Sequence, residues 1–298
     1  MDRLIAPKLP RWLERMVPFR RYRVDVGGVC MHVMEQGEGV PVLMLHGNPS
    51  WGFLYRKVAA ELAGQPVRCI MPDLIGLGFS DKPEGASAHT LEQHIAWMSA
   101  LVEELALERA VVALQDWGGP IGLGALAAHP ELRAALLVTN TVVGPPKPGF
   151  RATTFHRFAR LPIVSELAFR ALSFPQCAMT FAQGDKWSIT GSALRGYLYP
   201  LRSRAHNVAP LALARMVPND FSHPSIAPLE RCLAYVEAFD GPSEIVWGDR
   251  DPVLGRVLPF VTSRMPRARV TRTAAGHFLQ EEVPGEIAAA ILRLAAAL

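Results

Sequence analysis

The segment 110–128 constrains the fold more than any other part of this chain. It begins with the apolar run Ala110–Leu114, passes through Gln115-Asp116-Trp117-Gly118-Gly119, and ends in the helix-like stretch Pro120–Ala128. An apolar run, a glycine-containing turn and a helix in direct succession predict a buried strand that turns sharply into a helix. Such a unit belongs to an α/β sheet and exposes one side chain at the end of the strand. That residue is Asp116.

Strands and helices alternate along the rest of the first half. Short apolar runs without polar alternation predict buried parallel strands, and the stretches between them have helical periodicity. Gly27-Gly28 separates two further strand-like runs and predicts a hairpin, Tyr22–Val26 with Val29–Glu35. The remaining predicted strands are Val42–Leu45, Arg68–Met71, Ala110–Leu114 and Ala135–Val138, and the predicted helices are Leu54–Leu62, Leu91–Leu107 and Ile121–Ala128.

This alternation stops after Asn140. The Pro-rich stretch Gly144–Gly149 is followed by about 70 residues with helical periodicity and no clear strand, after which strands return at Glu244–Trp247 and Arg267–Thr273. The pattern predicts a mostly parallel, doubly wound α/β sheet with an inserted helical cap. We therefore divide the chain into a first core part (1–143), a cap (144–222) that covers the strand ends, and a second core part (223–298).

Composition excludes several classes of function. The net charge is +4, but the basic residues are scattered apart from Arg20, Arg21 and Arg23, and no basic stripe with interleaved aromatics predicts nucleic-acid binding. Neither a Cys-x-x-Cys pair nor a His-Glu-x-x-His helix is present, so we expect no metal and no cofactor. The four separated cysteines are expected to be buried thiols in a reducing compartment, which favours the cytoplasm.

The N-terminal segment Met1–Arg23 contains three prolines and lacks the continuous apolar core of a signal peptide. No apolar run in the chain approaches the roughly 20 residues that span a bilayer, so membrane insertion is not expected. We interpret the segment as an extension packed on the domain, with contact of Trp12–Arg23 to a membrane surface as the alternative. The sequence leaves the oligomeric state open.

Three more motifs follow predicted strands and therefore belong at the same edge of the sheet as Asp116. They are His46-Gly47-Asn48-Pro49-Ser50-Trp51, then Trp247-Gly248-Asp249-Arg250-Asp251-Pro252, and then Ala275-Gly276-His277-Phe278. The order along the chain is nucleophile, acid and histidine, which is the order of α/β-hydrolases. In the serine enzymes of that class the elbow residue is Ser, whereas a carboxylate there suits attack on a saturated carbon.

With these motifs the chain resembles the α/β-hydrolases, and more narrowly the haloalkane dehalogenase family, from about Tyr22 to Leu298. Further matching stretches are Pro72-Asp73, Gly76-Leu77-Gly78 and Ser80-Asp81-Lys82-Pro83, while the cap diverges. The resemblance implies that Asp116 attacks carbon, that Trp117 and Asn48 donate hydrogen bonds to the departing halide, and that His277 activates water with the help of an acid. It also implies a small hydrophobic substrate and a halide ion as ligands.

Elementary chemistry supports these roles. Neutral N–H donors stabilise a leaving halide in a dry pocket without adding a titrating group, and a histidine paired with a carboxylate is a base near neutral pH. Asn140 follows the strand after which one branch of the family places its acid, but it offers no carboxylate. The acid is therefore expected within 249–251, where Asp251 is favoured and Asp249 is the alternative.

Several other residues have a functional and a structural interpretation. Trp187 would line the pocket or pack within the cap, and Tyr197 and Tyr199 would open epoxide rings or pack in the core. Arg215 would select an anionic substrate or lie solvated on the cap. His46 is interpreted as a structural histidine that binds loop backbone. For Trp187 and the tyrosines we favour packing.

Four functions remain compatible with the sequence. The leading prediction is hydrolytic dehalogenation of haloalkanes through a covalent aspartyl ester. Epoxide hydrolysis and β-lactone decarboxylation use the same Asp-His-Asp set, and Asn48 argues against epoxide hydrolases, which usually have an apolar or aromatic residue there. A ligand receptor on a hydrolase scaffold is the fourth, because fold alone does not determine function.

Overall fold

The computed structural model describes residues 3–298, so residues 1 and 2 of the predicted N-terminal extension lie outside the described part. Within it, nine strands form one sheet. They are β1 (Leu4–Ile5), β2 (Arg20–Asp25), β3 (Cys30–Gln36), β4 (Val40–Leu45), β5 (Val67–Pro72), β6 (Arg109–Asp116), β7 (Arg133–Thr141), β8 (Ser243–Gly248) and β9 (Arg269–Thr273).

Helices fill the connections between these strands. They are α1 (Arg11–Glu14), α2 (Arg56–Glu61), α3 (Leu91–Glu104), α4 (Gly118–Ala128), α5 (Thr154–Ala159), α6 (Val164–Glu166), α7 (Phe174–Cys177), α8 (Gly191–Leu198), α9 (Val208–Arg215), α10 (Ile226–Ala238), α11 (Leu258–Arg264) and α12 (Pro284–Ala296). Every element predicted from the sequence is present, with its ends shifted by a few residues. The predicted helix Leu54–Leu62 begins as a 3₁₀ turn, Gly52–Tyr55.

The strand order is β1-β2-β3-β5-β4-β6-β7-β8-β9. Strands β4 to β9 pair in parallel, whereas β1, β2 and β3 are antiparallel to their neighbours. The predicted mostly parallel α/β sheet is therefore observed. The chain runs outward from β4 to β5 on one side and continues from β6 on the other, and ligands of open α/β sheets bind where the order reverses in this way.

The sheet separates two hydrophobic clusters, one on each face. On the second face the cluster includes Leu13 and Val17 from the N-terminal segment, both almost completely buried. The predicted packing of this segment on the domain is therefore observed, and β1 adds to the sheet beside β2. Among residues 3–298, no helix is both long enough and apolar enough to cross a membrane.

Between β7 and α10 the chain forms only short helices. Residues 144–222 contain α5 to α9 and several single turns, including a π-helical turn at Leu167–Ala171, and no strand. Their own small hydrophobic cluster centres on Phe169 and Leu211. Short helices around a separate apolar cluster are what a covering segment requires, because it must pack internally and still leave space above the sheet.

Candidate active site

The elbow at the end of β6 holds Asp116 in a left-handed backbone conformation, with φ of +48°. This conformation is costly for a non-glycine residue and is retained where surrounding contacts enforce it. Thr141 Oγ1 donates a 2.5 Å hydrogen bond to the Asp116 carbonyl. Gly118 and Gly119 leave no room for a side chain, since a Cβ on Gly119 would lie 1.9 Å from Thr141 Oγ1. The turn therefore presents the Asp116 carboxylate above the sheet.

His277 joins this carboxylate to a second one. Its Nδ1 lies 2.8 Å from Asp251 Oδ2, and its Nε2 lies 3.6 Å from Asp116 Oδ2. His277 and Asp251 are 3% and 6% exposed. The loops after β6, β8 and β9 thus bring the predicted nucleophile, acid and base together in one buried row.

Asp251 is held by four hydrogen-bond donors. Besides His277, Asn140 Nδ2 donates to Oδ2 at 2.7 Å, and the amides of Val253 and Leu254 donate to Oδ1 at 2.7 and 3.0 Å. Burial alone would raise the pKa of Asp251, but the His277 charge and these hydrogen bonds lower it overall. Asp251 is therefore ionised and fixed in orientation.

Asn140 was not predicted as a site residue because its side chain has no carboxylate, and its contact with Asp251 was therefore not anticipated. Its amide bridges the two loops, because Oδ1 accepts from the Gly248 amide at 2.7 Å while Nδ2 contacts Asp251. Asn140 also has a positive φ of 32°. The signal that could have identified Asn140 is its position, directly after the strand that precedes the acid in one branch of the family.

The alternative acid, Asp249, lies outside this row. Its two carboxylate oxygens are each 3.1 Å from Arg272 Nε in an exposed ion pair. Of the two candidate acids, Asp251 is therefore the one that contacts His277.

Two carboxylates control the charge of His277. Burial lowers the pKa of its imidazolium, but Asp251 and Asp116 raise it more, to about 10. His277 is thus protonated while both carboxylates are charged. Because neutralising Asp116 would remove one of the two raising charges, an ester on Asp116 would lower the pKa of His277 and make it a better base.

Asn48, which follows β4, contacts the other side of Asp116. Its backbone amide donates to Asp116 Oδ1 at 2.8 Å, an approach that requires Gly47, since a Cβ there would lie 2.1 Å from the same oxygen. The Asn48 side chain donates one N–H to the Pro210 carbonyl of α9 at 2.9 Å. An amide has two such hydrogens, so one remains for a ligand.

Trp117 lies directly after Asp116 and is 7% exposed. It lines the same cavity as Asp116, so its indole N–H, which can only donate, is available to a ligand there. Trp117 therefore offers a donor beside the carboxylate.

A cavity of about 480 Å³ opens above Asp116 and Trp117 between the sheet and the helical insert. This volume suits a small ligand. Most of the wall is apolar, and its members include Val142, Pro145, Phe150, Val217, Leu229, Leu254, Val257 and Phe260. Within residues 3–298, no group of three or more His, Cys, Asp or Glu side chains is arranged to bind a metal ion.

The residues with two interpretations have structural contacts. Tyr197 is fully buried and donates to Glu281 at 2.6 Å, and Tyr199 packs against Trp12. Trp187 is 82% exposed on the surface and does not line the cavity. The structure therefore favours packing for Tyr197 and Tyr199 and a surface position for Trp187 over the functional interpretations.

Arg215 and His46 also have structural contacts. Arg215 Nη1 lies 2.9 Å from Glu166 Oε1, and its Nε donates to the Ala159 carbonyl. The Arg215 charge is therefore paired with Glu166 within the helical insert. The interpretation of Arg215 as an anion selector, left open by the sequence, is therefore wrong for this cavity. His46 Nε2 accepts from the Leu74 amide at 2.9 Å, as expected for a structural histidine.

Comparison with known proteins agrees with this geometry. A family model described as the alpha/beta hydrolase fold matches residues 40–284. A haloalkane dehalogenase of Mycobacterium marinum is 31% identical over 291 residues, which cover 92% of this chain and 93% of the relative. A cis-3-alkyl-4-alkyloxetan-2-one decarboxylase of Shewanella oneidensis is also 31% identical, with 92% of this chain and 88% of the relative covered.

A solved structure gives the same result at the level of the fold. The haloalkane dehalogenase DatA from Agrobacterium tumefaciens C58 superposes with a TM-score of 0.81 at 26% identity, with 93% of this chain and 96% of that chain covered. The similarity thus extends over both core parts and the helical insert.

Proposed function

The chain belongs to the haloalkane dehalogenase family of the α/β-hydrolase superfamily, and from this membership we propose that it hydrolyses haloalkanes to an alcohol and a halide ion. The observation that supports the proposal most directly is a carboxylate, Asp116, at the elbow beside the His277–Asp251 pair. A carboxylate nucleophile forms an ester with a saturated carbon, and the neighbouring histidine serves to hydrolyse that ester.

In the first step a carboxylate oxygen of Asp116 attacks the carbon that bears the halogen. The C–O bond forms as the carbon–halogen bond breaks, and the halide leaves with the electron pair. No base is needed, since Asp116 reacts as the anion. The side-chain N–H groups of Asn48 and Trp117 donate to the departing halide, where the developing negative charge makes such donors most effective.

In the second step water attacks the carbonyl carbon of the Asp116 ester while His277 Nε2 takes a proton from it. Asp251 holds the imidazole by its Nδ1 and balances the imidazolium charge. The Asn48 amide, which already lies 2.8 Å from Asp116 Oδ1, stabilises the oxyanion together with the Trp117 amide. Collapse of the tetrahedral intermediate breaks its bond to the alkoxide oxygen, the His277 imidazolium returns the proton to that oxygen to give the alcohol, and the carboxylate is restored with one oxygen from water.

Residues 144–222 serve as the cap in this proposal. Thr153 and His156 of this segment line the same cavity as Asp116, so the segment shapes the site and limits its access to water. The substrate is small and hydrophobic, in keeping with the apolar wall. All four cysteines are free thiols, which supports a reducing compartment and the cytoplasm as the proposed location. The expectation that all four are buried is wrong, since Cys177 is exposed and Cys30 is half-buried.

One other function is favoured by a specific observation. The 31% identical decarboxylase acts, by its name, on an oxetan-2-one, which is a β-lactone, and β-lactone decarboxylation is therefore the second candidate. Epoxide hydrolysis has less support, because among the described residues that line the cavity none is a tyrosine.

A substrate panel separates these candidates. Purified protein is incubated with short bromo- and iodoalkanes, with styrene oxide and with a cis-β-lactone, and halide, diol and alkene are followed. Halide release that is abolished in Asp116→Ala and retained in Asp249→Asn is the expected result. Alkene release without halide release would overturn the dehalogenase proposal in favour of the second candidate.

A further inference from the structure

A histidine of the cap faces the cavity that contains Asp116. His156 lies in α5 and lines this cavity together with Thr153, Asp116 and Trp117. Neither the motif order nor the family resemblance predicted a role for His156. The two proposed reaction steps do not use this residue.

The contact with Thr153 favours one tautomer of the His156 ring. Thr153 is the N-cap of α5, so its Oγ1 accepts from the His156 backbone amide, at 3.5 Å. The same oxygen lies 2.7 Å from His156 Nδ1. A Thr153 hydroxyl that donates to Nδ1 would satisfy both groups, and the ring hydrogen would then lie on Nε2, for which no protein partner is found among the described residues.

The ring is neutral near pH 7. Burial lowers the pKa of His156 to about 4, and the charges of Arg160, His277 and Arg256 lower it as well, whereas Asp116 alone raises it. A neutral imidazole adds no charge that would compete with the Asp116 carboxylate. His156 is therefore a neutral N–H donor directed at the ligand space.

The wall of the cavity offers this donor few acceptors. Asp116 is the only carboxylate among the described residues that line it, much of the rest is apolar, including Val142, Leu229 and Val257, and the cationic side chains Lys147 and Arg256 are exposed. When a purely hydrocarbon substrate displaces water from the cavity, the Nε2–H loses its water acceptor, and an unpaired buried donor is unfavourable. A substrate oxygen at the right position along the chain removes this cost.

We infer that the Nε2–H of His156 binds an oxygen acceptor on the substrate, and that the enzyme prefers haloalkanes with an ether, hydroxyl or carbonyl oxygen in the chain over simple haloalkanes. The inference rests on the proposed dehalogenation. It makes His156 a substrate-binding residue that determines specificity.

Three isosteric substrates test it: 1-bromopentane, 1-bromo-3-methoxypropane and 2-bromoethyl ethyl ether, which differ only in replacing one methylene by oxygen. The measured quantity is kcat/KM for bromide release. In the wild type, at least one ether should exceed 1-bromopentane by about 10- to 100-fold. His156→Phe should lose this preference while it still hydrolyses 1-bromopentane, and His156→Gln, which keeps a side-chain N–H, should restore part of it.

Thr153→Val provides a second variant that leaves the imidazole in place. It removes the hydroxyl that favours this tautomer, so the ether preference should decrease, mainly through a higher KM for the ether. A substitution on the apolar wall, Val257→Ala, is the control and should change the three substrates alike. An ether preference that is equal in the wild type and His156→Phe, or absent from the wild type, would overturn the inference. Loss of bromide release from all three substrates in the wild type would instead contradict the proposed dehalogenation.

Discussion

Asn140 Nδ2 lies 2.7 Å from Asp251 Oδ2, the same oxygen that accepts the 2.8 Å hydrogen bond of His277 Nδ1. One carboxylate oxygen therefore accepts hydrogen bonds from both the His277 imidazole and the Asn140 amide at the end of β7. The amide fixes the acid in a position that lets it orient the histidine. We therefore expect Asn140 to act on the reaction through Asp251, as a positioning residue.

Asn140→Ala should slow hydrolysis of the ester more than its formation. Removing a hydrogen bond to a charged group costs about 1.5–3 kcal/mol, which corresponds to roughly 10- to 100-fold in the second step. Pre-steady-state kinetics with a bromoalkane should show a bromide burst of normal rate followed by slower alcohol release. Equal slowing of both phases would mean that Asn140 acts on the fold as a whole.

Asp116 should become covalently labelled during turnover. A single turnover in heavy-oxygen water should place one label in the Asp116 carboxylate, because water attacks the ester carbonyl and not the alkyl carbon. Peptide mass spectrometry measures this label. Asp116→Ala should lose all halide release while remaining folded, and Asp249→Asn, in an exposed carboxylate, is the matched control. Active enzyme with an unlabelled carboxylate would contradict covalent catalysis.

His277→Phe should trap the alkyl-enzyme. The first step proceeds without a base, whereas the second requires activated water, so the ester accumulates and is visible as a mass increase of the intact protein. Asp251→Asn should impair the same step, and more than Asp249→Asn does. Turnover at the wild-type rate in His277→Phe, without trapping, would remove the histidine from the mechanism.

Asn48→Ala and Trp117→Phe should each lower the rate of carbon–halogen cleavage by roughly 10²–10³, as loss of one donor to a developing charge does elsewhere. The loss should be largest for chloride, the poorest leaving group of the halides tested. Bromide should also quench tryptophan fluorescence saturably, and less so in Trp117→Phe. Unchanged quenching and cleavage in both variants would assign halide binding to other residues.

Stability should depend on the charge of His277. Its pKa in the folded protein is raised to about 10 from an ordinary value of 6.5, so its ion pairs stabilise the fold fully below pH 6.5 and lose this effect as the pH rises through about 10. Denaturant titrations at several pH values should show a decline in the free energy of unfolding over this window. His277→Gln should lack that decline, and Asp249→Asn should keep it.

Local patterns were sufficient for the elements and for the main members of the site. The strand and helix periods depend on neighbouring residues, and residues that directly follow parallel strands meet at one edge of the sheet whatever the loops do. This is why Asp116, Asn48 and His277 were predicted to converge. Asp251 was preferred to Asp249 because of its spacing to the strand and the Pro252-Val253-Leu254-Gly255 that follows it. The start of α3 was predicted at Leu91, but its end was predicted at Leu107 and lies at Glu104, because the chain leaves the helix at Ala106 with φ of +49°.

Contacts between distant segments could not be predicted from the sequence. The hydrogen bonds of Asn140 to Asp251 and of Asn48 to Pro210 join residues 111 and 162 positions apart, and the ion pair of Arg215 with Glu166 depends on how the short cap helices pack. His156 and Asp116 line one cavity although they are 40 positions apart in the sequence. The sequence by itself determined the sheet, the elbow and the order of nucleophile, acid and base, since these follow from local periodicity and strand direction. Tertiary structure alone decided the cavity wall and the partners of each polar group, because burial and hydrogen bonding depend on long-range packing.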